Sequence, residues 1–181
     1  KGLKHLYFTE GNKRFSSDLL IFKHGLEPIF NNDMKIGTSS LRRKLQAKFH
    51  LNAKNISSLN GNIDTRIKKL NDGLYDCIIL AEAGLKRLNY LLENNTFIRL
   101  DHIPCSGQGS LAVQWNEHSQ FEELITSSDT ALISANLNEN IELERSLLRK
   151  LGTNCNSAIS IESINGELKG EIYGIEDFVT F

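Results

Sequence analysis

Short apolar runs alternate along the chain with segments whose apolar residues recur every three or four positions. "DLLIF" (Asp18–Phe22) is an apolar run behind one acid and predicts a buried strand. "MKIG", ending at Gly37, predicts a brief strand, and Ile56–Leu59 predicts another. "YDCIILA" is the strongest strand signal, continuous and apolar, and predicts a central parallel strand covered on both faces. Between these runs the period changes. Leu41, Leu45 and Phe49 form one apolar stripe of a helix, with Ser39 or Ser40 as its N-cap. Ile63, Ile67 and Leu70 share a face of a second helix, capped by Asn62 or Asp64 and stopped at Gly73. Leu85, Leu88 and Leu92 mark a third, in "AGLKRLNYLL". Strand–helix units at this interval predict a parallel α/β domain over residues 18–103.

The flanking regions read differently. Residues 1–16 are mixed and polar, with "TEGNKR" as a turn, and "PCSGQG" (Pro104–Gly109) breaks the strand–helix alternation as a hinge would. Residues 110–115 predict a strand and 119–126 a short helix. From Asp129 a long helix is expected, with Leu137, Ile141, Leu148 and Leu151 on one face, the acids of "ENIELE" on its surface, and Gly152 at its end. Two β-like stretches, Ile159–Ile164 and Leu168–Ile175, meet at Asn165–Gly166, a strong hairpin signal. This last region predicts a separate small α+β unit.

Composition narrows the function. In 181 residues, 40% are hydrophobic, enough for a sizeable core. Lys and Arg number 21 against 22 Asp and Glu, so no general attraction to nucleic acid or to an acidic membrane follows, and any anion site must be local. The three cysteines, Cys77, Cys105 and Cys155, fit no disulfide framework and no zinc spacing, which points to a reducing compartment. No run of 18 apolar residues marks a membrane span. His50 and His118 have no partners at metal-ligand spacing, and no phosphate loop, dinucleotide fingerprint or HExxH is present.

The candidate chemistry lies in "KIGTSSLRRKLQAKF" (Lys35–Phe49). Strand, glycine, hydroxyls and helix follow in order, which leaves free backbone N–H groups above the strand end. Arg42 and Arg43 sit at the unfavourable end of the helix dipole, where folding alone does not call for them. Two readings stand: caps with solvated arginines, or a carboxylate or phosphate clamp built on bidentate guanidinium groups. Arg66 and Arg87 alone read as surface charges. In a parallel sheet, however, successive strand ends face one crevice, where Arg66 would join Arg42 and Arg43. Cys155 lies in a polar loop past a helix end, unlike Cys77 in its apolar strand, and is a candidate reactive thiol.

These residues carry a resemblance to the porphobilinogen deaminase (hydroxymethylbilane synthase) family. "GTSSLRR" (Gly37–Arg43), "GNIDTRIKKLNDGLYDCIILAEAGLKRL" (Gly61–Leu88), "GQG" (Gly107–Gly109), "ELERSLLRKL" (Glu142–Leu151) and "NCN" around Cys155 follow in family order, and the similarity covers residues 14–175. The resemblance implies an α/β fold: a parallel or mixed-sheet domain like the periplasmic binding proteins over residues 18–103, and a small cysteine-bearing α+β third domain over 121–181. Residues 1–17 would be a remnant of the first domain or a linker, and 104–120 its returning segment, the rest of that domain lying outside a sequence that opens at Lys1.

The implied activity is a transferase of tetrapyrrole and heme biosynthesis. It condenses four porphobilinogen molecules into hydroxymethylbilane and releases ammonia at each step. The implied cofactor is a dipyrromethane, attached covalently through Cys155. Ser39, Arg42, Arg43 and Arg66 would hold cofactor carboxylates. Thr38, Ser40, Arg87 and Gln108 would be weaker substrate contacts. A cytoplasmic monomer with a small-molecule substrate is expected, with no nucleic acid, membrane or metal partner. The chain departs from the family at several points. The family's catalytic aspartate belongs to an H-S-x-K-D stretch expected before residue 14, and nothing in Lys1–Arg14 resembles it, so no catalytic residue is assigned. Asn60 replaces an arginine, Thr153 and Asn154 replace glycines before the cysteine, and "NSA" replaces "QVP" after it. A non-catalytic anion- or tetrapyrrole-binding module and an inactive paralogue of the same fold are the alternatives.

Overall fold

The computed structural model describes residues 2–9, 13–90, 92, 95–120, 122–123, 135–153 and 157–181. Among them, five strands form the main sheet: β2 (Asp18–Phe22), β3 (Lys35–Gly37), β4 (Asn55–Ser57), β5 (Cys77–Ala81) and β6 (Phe97–Leu100). Their order is β4-β3-β5-β2-β6. β5 lies in the middle, as its apolar run predicts, but it is parallel only to β3; β2 runs antiparallel to both β5 and β6. The sheet is therefore mixed.

Both faces of this sheet are covered, which explains the unbroken apolar runs. Leu19, Ile21, Ile78 and Leu80 face one core with Ile67 and Leu70 of α2 (Ile63–Asn71) and Leu85 of α3 (Glu82–Arg87). Leu20, Phe22, Cys77 and Ile79 face the other with Ala47 of α1 (Leu41–His50). Asn62 caps α2, its side chain accepting from the Thr65 N–H at 2.9 Å. α3 is shorter than the leucine spacing predicts: it ends at Arg87, and Leu88 is exposed.

α1 departs most from its pattern. Ser40 is its N-cap, but the expected stripe is not the buried face: Leu41 is 48% exposed, while Arg42, Gln46 and Ala47 are buried. Polar contacts from outside the helix, described below, fix its rotation.

Two smaller sheets complete the described structure. β1 (Leu3–Phe8), in a stretch that reads as polar, pairs antiparallel with β7 (Leu111–Asn116). β8 (Ile159–Ile164), β9 (Glu167–Tyr173) and β10 (Phe178–Thr180) form an antiparallel sheet. The β8–β9 turn is Asn165–Gly166, both at positive φ (52° and 82°), as a two-residue turn matching strand twist requires. α4 (Ala135–Lys150) packs on this sheet through Ile141, and its Asn138 side chain accepts from the Tyr7 N–H and donates to the Tyr7 carbonyl, each at 2.8 Å. The expected helix at 119–126, the start of the long helix from Asp129, and Cys155 lie largely or wholly outside the described residues.

Candidate functional site

The antiparallel course of β2 creates the site. β3 and β5 deliver their last residues to one end of the sheet, and β2, running the other way, delivers its first. Asp18 lies opposite Ala81 on one side and Leu100 on the other. α1 starts above this sheet end. Its first turn brings Arg42 and Arg43 onto the Asp18 carboxylate: Arg42 Nη1 lies 2.9 Å from Oδ2 and Arg43 Nη2 lies 2.7 Å from Oδ1. Arg42 Nη1 also donates to Gln46 Oε1 at 2.7 Å, and Gln46 Nε2 donates to the Ile103 carbonyl at 2.8 Å. These contacts set the rotation of α1.

After β6 the chain crosses the same sheet end. The Cys105–Ser110 segment is a pair of tight turns, with Gln108 N–H donating to the Cys105 carbonyl and Ser110 N–H to the Gly107 carbonyl. Gly109 is at φ 85°, and a Cβ there would stand 2.5 Å from the Phe15 carbonyl oxygen, so only glycine fits. The turns aim Gln108 inward. Its amide donates to Asp18 Oδ1 at 2.9 Å and to the Ser16 carbonyl at 2.5 Å; its oxygen accepts from Arg42 Nη2 at 3.1 Å. Burial alone would raise the Asp18 carboxyl. Arg43 and Arg42, with hydrogen bonds from Arg43 and Gln108, outweigh that and hold it below the usual carboxylate range.

The third element is α4. Glu144 belongs to the "ENIELE" acids expected on the surface, but it is 0% exposed. Its carboxylate takes both terminal nitrogens of Arg14, at 2.6 and 3.1 Å, the Gly107 N–H at 2.7 Å and the Ser163 N–H at 2.9 Å. A buried charge needs such partners. It ties α4 to the glycine turns and to β8.

A cavity of about 510 Å³ lies between these elements. Ser40, Arg42, Arg43, Cys105, Ser106 and Gln108 of its lining come from α1 with its N-cap and the turns after β6; Arg145, Leu148, Arg149, Thr153, Ile159 and Ile161 come from α4, the residues after it and β8. Four of these residues are arginines and none is Asp or Glu. Arg43 Nε and Ser106 Oγ are buried without a hydrogen-bond partner among the described residues. Oxygen acceptors from a carboxylate would satisfy them.

The expected site residues divide accordingly. Ser40, Arg42, Arg43 and Gln108 meet at the cavity. Arg66 is partly buried, with Nε donating to the Gly61 carbonyl at 2.7 Å. Burial first, then the like charge of Arg43, lowers its proton affinity, so its guanidinium lies within electrostatic reach of Arg43. Ser39 Oγ is engaged with Leu59 and Asn60, and Thr38 is buried with its hydroxyl accepting from the Ser40 N–H. Arg87 stands apart, beside Lys13, Phe15 and Lys86 in a smaller pocket, with Nη2 donating to the Ser110 carbonyl at 3.3 Å. Sequence reasoning missed Asp18, Glu144, Arg145 and Arg149. The last two carried a readable signal, four positions apart on one helix face. Among the described residues no group of His, Cys, Asp or Glu could hold a metal, and no helix is long and apolar enough to cross a membrane.

A family model described as "Porphobilinogen deaminase, dipyromethane cofactor binding domain" matches residues 6–123, well over half of the chain. The chain belongs to the porphobilinogen deaminase family. Its similar relatives include a probable porphobilinogen deaminase of Methanocaldococcus jannaschii, 50% identical over 99 residues, covering 53% of this chain and 33% of that protein. The porphobilinogen deaminase of Campylobacter hominis is 37% identical over 151 residues, covering 80% of this chain and 46% of that protein. A probable porphobilinogen deaminase of Methanothermobacter thermautotrophicus is 41% identical over 130 residues, covering 70% and 43%. The chain thus spans less than half the length of these curated family members. Among solved structures, the periplasmic aliphatic sulphonate binding protein SsuA from Escherichia coli aligns with 84% of this chain and 53% of its own at a TM-score of 0.44 and 11% identity, too distant to add to the architecture above.

Proposed function

We propose that this chain forms part of a porphobilinogen deaminase, which joins four porphobilinogen molecules into hydroxymethylbilane and releases ammonia at each step. The observation that carries the reading is the cavity lined by four arginines and no acid. A pyrrole chain bearing acetate and propionate groups gathers negative charge with every ring, and guanidinium groups on rigid helices hold such charge without rearranging.

In this reading a dipyrromethane is held at the cavity. The lining suits it: a volume of about 510 Å³, four cations, and two buried polar atoms awaiting acceptors. Thr153, two positions before Cys155 in the chain, is part of that lining, which is consistent with attachment through the Cys155 sulfur. When bound, the cofactor supplies the pyrrole carbon to which the first substrate is joined. Arg42, Arg43, Ser39 and Arg66 bind and orient its carboxylates, while Thr38, Ser40, Arg87 and Gln108 make weaker substrate contacts. Residues 18–103 serve as the second domain and 121–181 as the third. The β1–β7 pairing supports 1–17 and 104–120 as parts of the first. The enzyme acts in the cytoplasm as a single chain.

One observation favours a second reading for this stretch by itself. Asp18, the carboxylate bonded to both arginines, is held ionised below its usual range and is a poor proton acceptor. In that reading these residues bind a carboxylate ligand without turning it over. Ammonia release from porphobilinogen by the full-length gene product separates the two. Stoichiometric ammonia with a linear tetrapyrrole supports the enzyme; tight carboxylate binding without ammonia supports the binding module.

A further inference from the structure

The expected carboxylate contacts all come from the main sheet's side of the cavity. α4 brings two more arginines to the same lining. Arg145 and Arg149 are four positions apart on α4, so they project from one face, and both line the cavity. Neither is tightly paired. The Arg145 guanidinium lies 5.7 Å from the Tyr7 ring centroid. Arg149 reaches Glu142 at 3.3 Å in an exposed pair, a contact of little strength. Arg42 is the contrast: its guanidinium already serves Asp18, Gln46 and Gln108. Glu144, one position before Arg145 on α4, anchors the helix to Arg14, Gly107 and Ser163. Its hold gives the pair a fixed position rather than that of loose surface charges.

We propose that Arg145 and Arg149 form the second wall of a carboxylate clamp, holding the side of a polycarboxylate ligand that faces away from Arg42 and Arg43. This rests on the deaminase reading only for the ligand's identity, since the clamp itself is specified by charge and geometry. A ligand must then carry carboxylates on both sides to engage both walls. A single carboxylate engages one.

Titration calorimetry with benzenehexacarboxylate, and with acetate as the single-charge control, tests this on the full-length product in a Cys155→Ser background, so that no adduct competes. The hexacarboxylate should bind far more tightly than acetate. Arg145→Gln with Arg149→Gln should weaken it about tenfold or more and flatten its salt dependence, as loss of two charge-assisted contacts requires. Arg145→Lys with Arg149→Lys should keep most of the affinity, and thermal unfolding should be unchanged in both. Equal hexacarboxylate affinity in the parent and the glutamine variant overturns the proposal, as does absence of binding to the parent. The deaminase reading is judged separately, by the mass of the Cys155 protein. An adduct with equal affinities removes the second wall alone; no adduct with a tenfold loss removes the enzyme reading alone.

Discussion

The Asp18 carboxylate and the Arg42 guanidinium meet at 2.9 Å with only 4% of either side chain exposed. One comes from the first residue of a strand, the other from the first turn of a helix 24 positions later. Together they join the main sheet, the start of α1 and, through Gln108, the turns that follow β6. Two arginines at the positive end of a helix dipole would be unfavourable alone. Asp18 supplies the countercharge within the fold and leaves a net positive face toward the cavity.

Asp18→Asn should therefore destabilise the protein strongly. Removing one member of a buried pair leaves the other charge uncompensated, which costs about 3–5 kcal/mol. Urea unfolding should show a lower midpoint with an unchanged slope. A loss below about 1 kcal/mol would mean the pair contributes little, as exposed pairs do.

The same pair gives the stability a pH signature. The folded-state value of Asp18 is depressed, so its contribution is fully present above the unfolded value, near about pH 4, and is lost as pH falls through the lower folded value. Wild type should lose more stability than Asp18→Asn as the pH falls below about 4. Parallel losses in the two proteins would show that other carboxylates govern acid unfolding.

Glu144→Gln should loosen α4 from the glycine turns. Arg14 would lose its carboxylate, and the Gly107 and Ser163 N–H groups would share one amide oxygen. A loss of about 3 kcal/mol or more is expected, with faster amide exchange at Gly107 and Ser163. Unchanged exchange at both positions would contradict the anchoring role.

These contacts mark where sequence reading reaches and where it stops. The Asn165–Gly166 turn, the Asn62 cap and the buried Ile67 and Leu70 were legible because each is a local rule: turn chemistry, capping and helical period. β1 was not, because its partner β7 lies a hundred positions away and few of its side chains are buried. The face of α1 was misread because hydrophobic periodicity detects leucines but not a distant carboxylate that turns the helix toward its arginines. Glu144 was misread for the same reason. The arginine pair stood out in the sequence; its partner Asp18 did not, since only the antiparallel register of β2 brings it there.

The cysteines should differ sharply in reactivity. Cys77 is buried in β5, where burial and then Asp76 push its thiol up to about 12, so it should resist thiol reagents in the folded protein at pH 8. Cys105 is half-buried at the cavity, its thiol 3.4 Å from Gln108 Oε1, and should react. Benzenehexacarboxylate should slow that reaction by covering the cavity mouth; labelling of Cys77 before Cys105 would contradict the packing.

The most direct measurement is the intact mass of the full-length gene product from cells that make porphobilinogen, beside its Cys155→Ser, Cys77→Ser and Cys105→Ser variants. A dipyrromethane adduct on the wild type, kept in the Cys77 and Cys105 variants and lost only in Cys155→Ser, is the predicted result. An unmodified wild-type mass, or an adduct that survives in Cys155→Ser, would contradict the account.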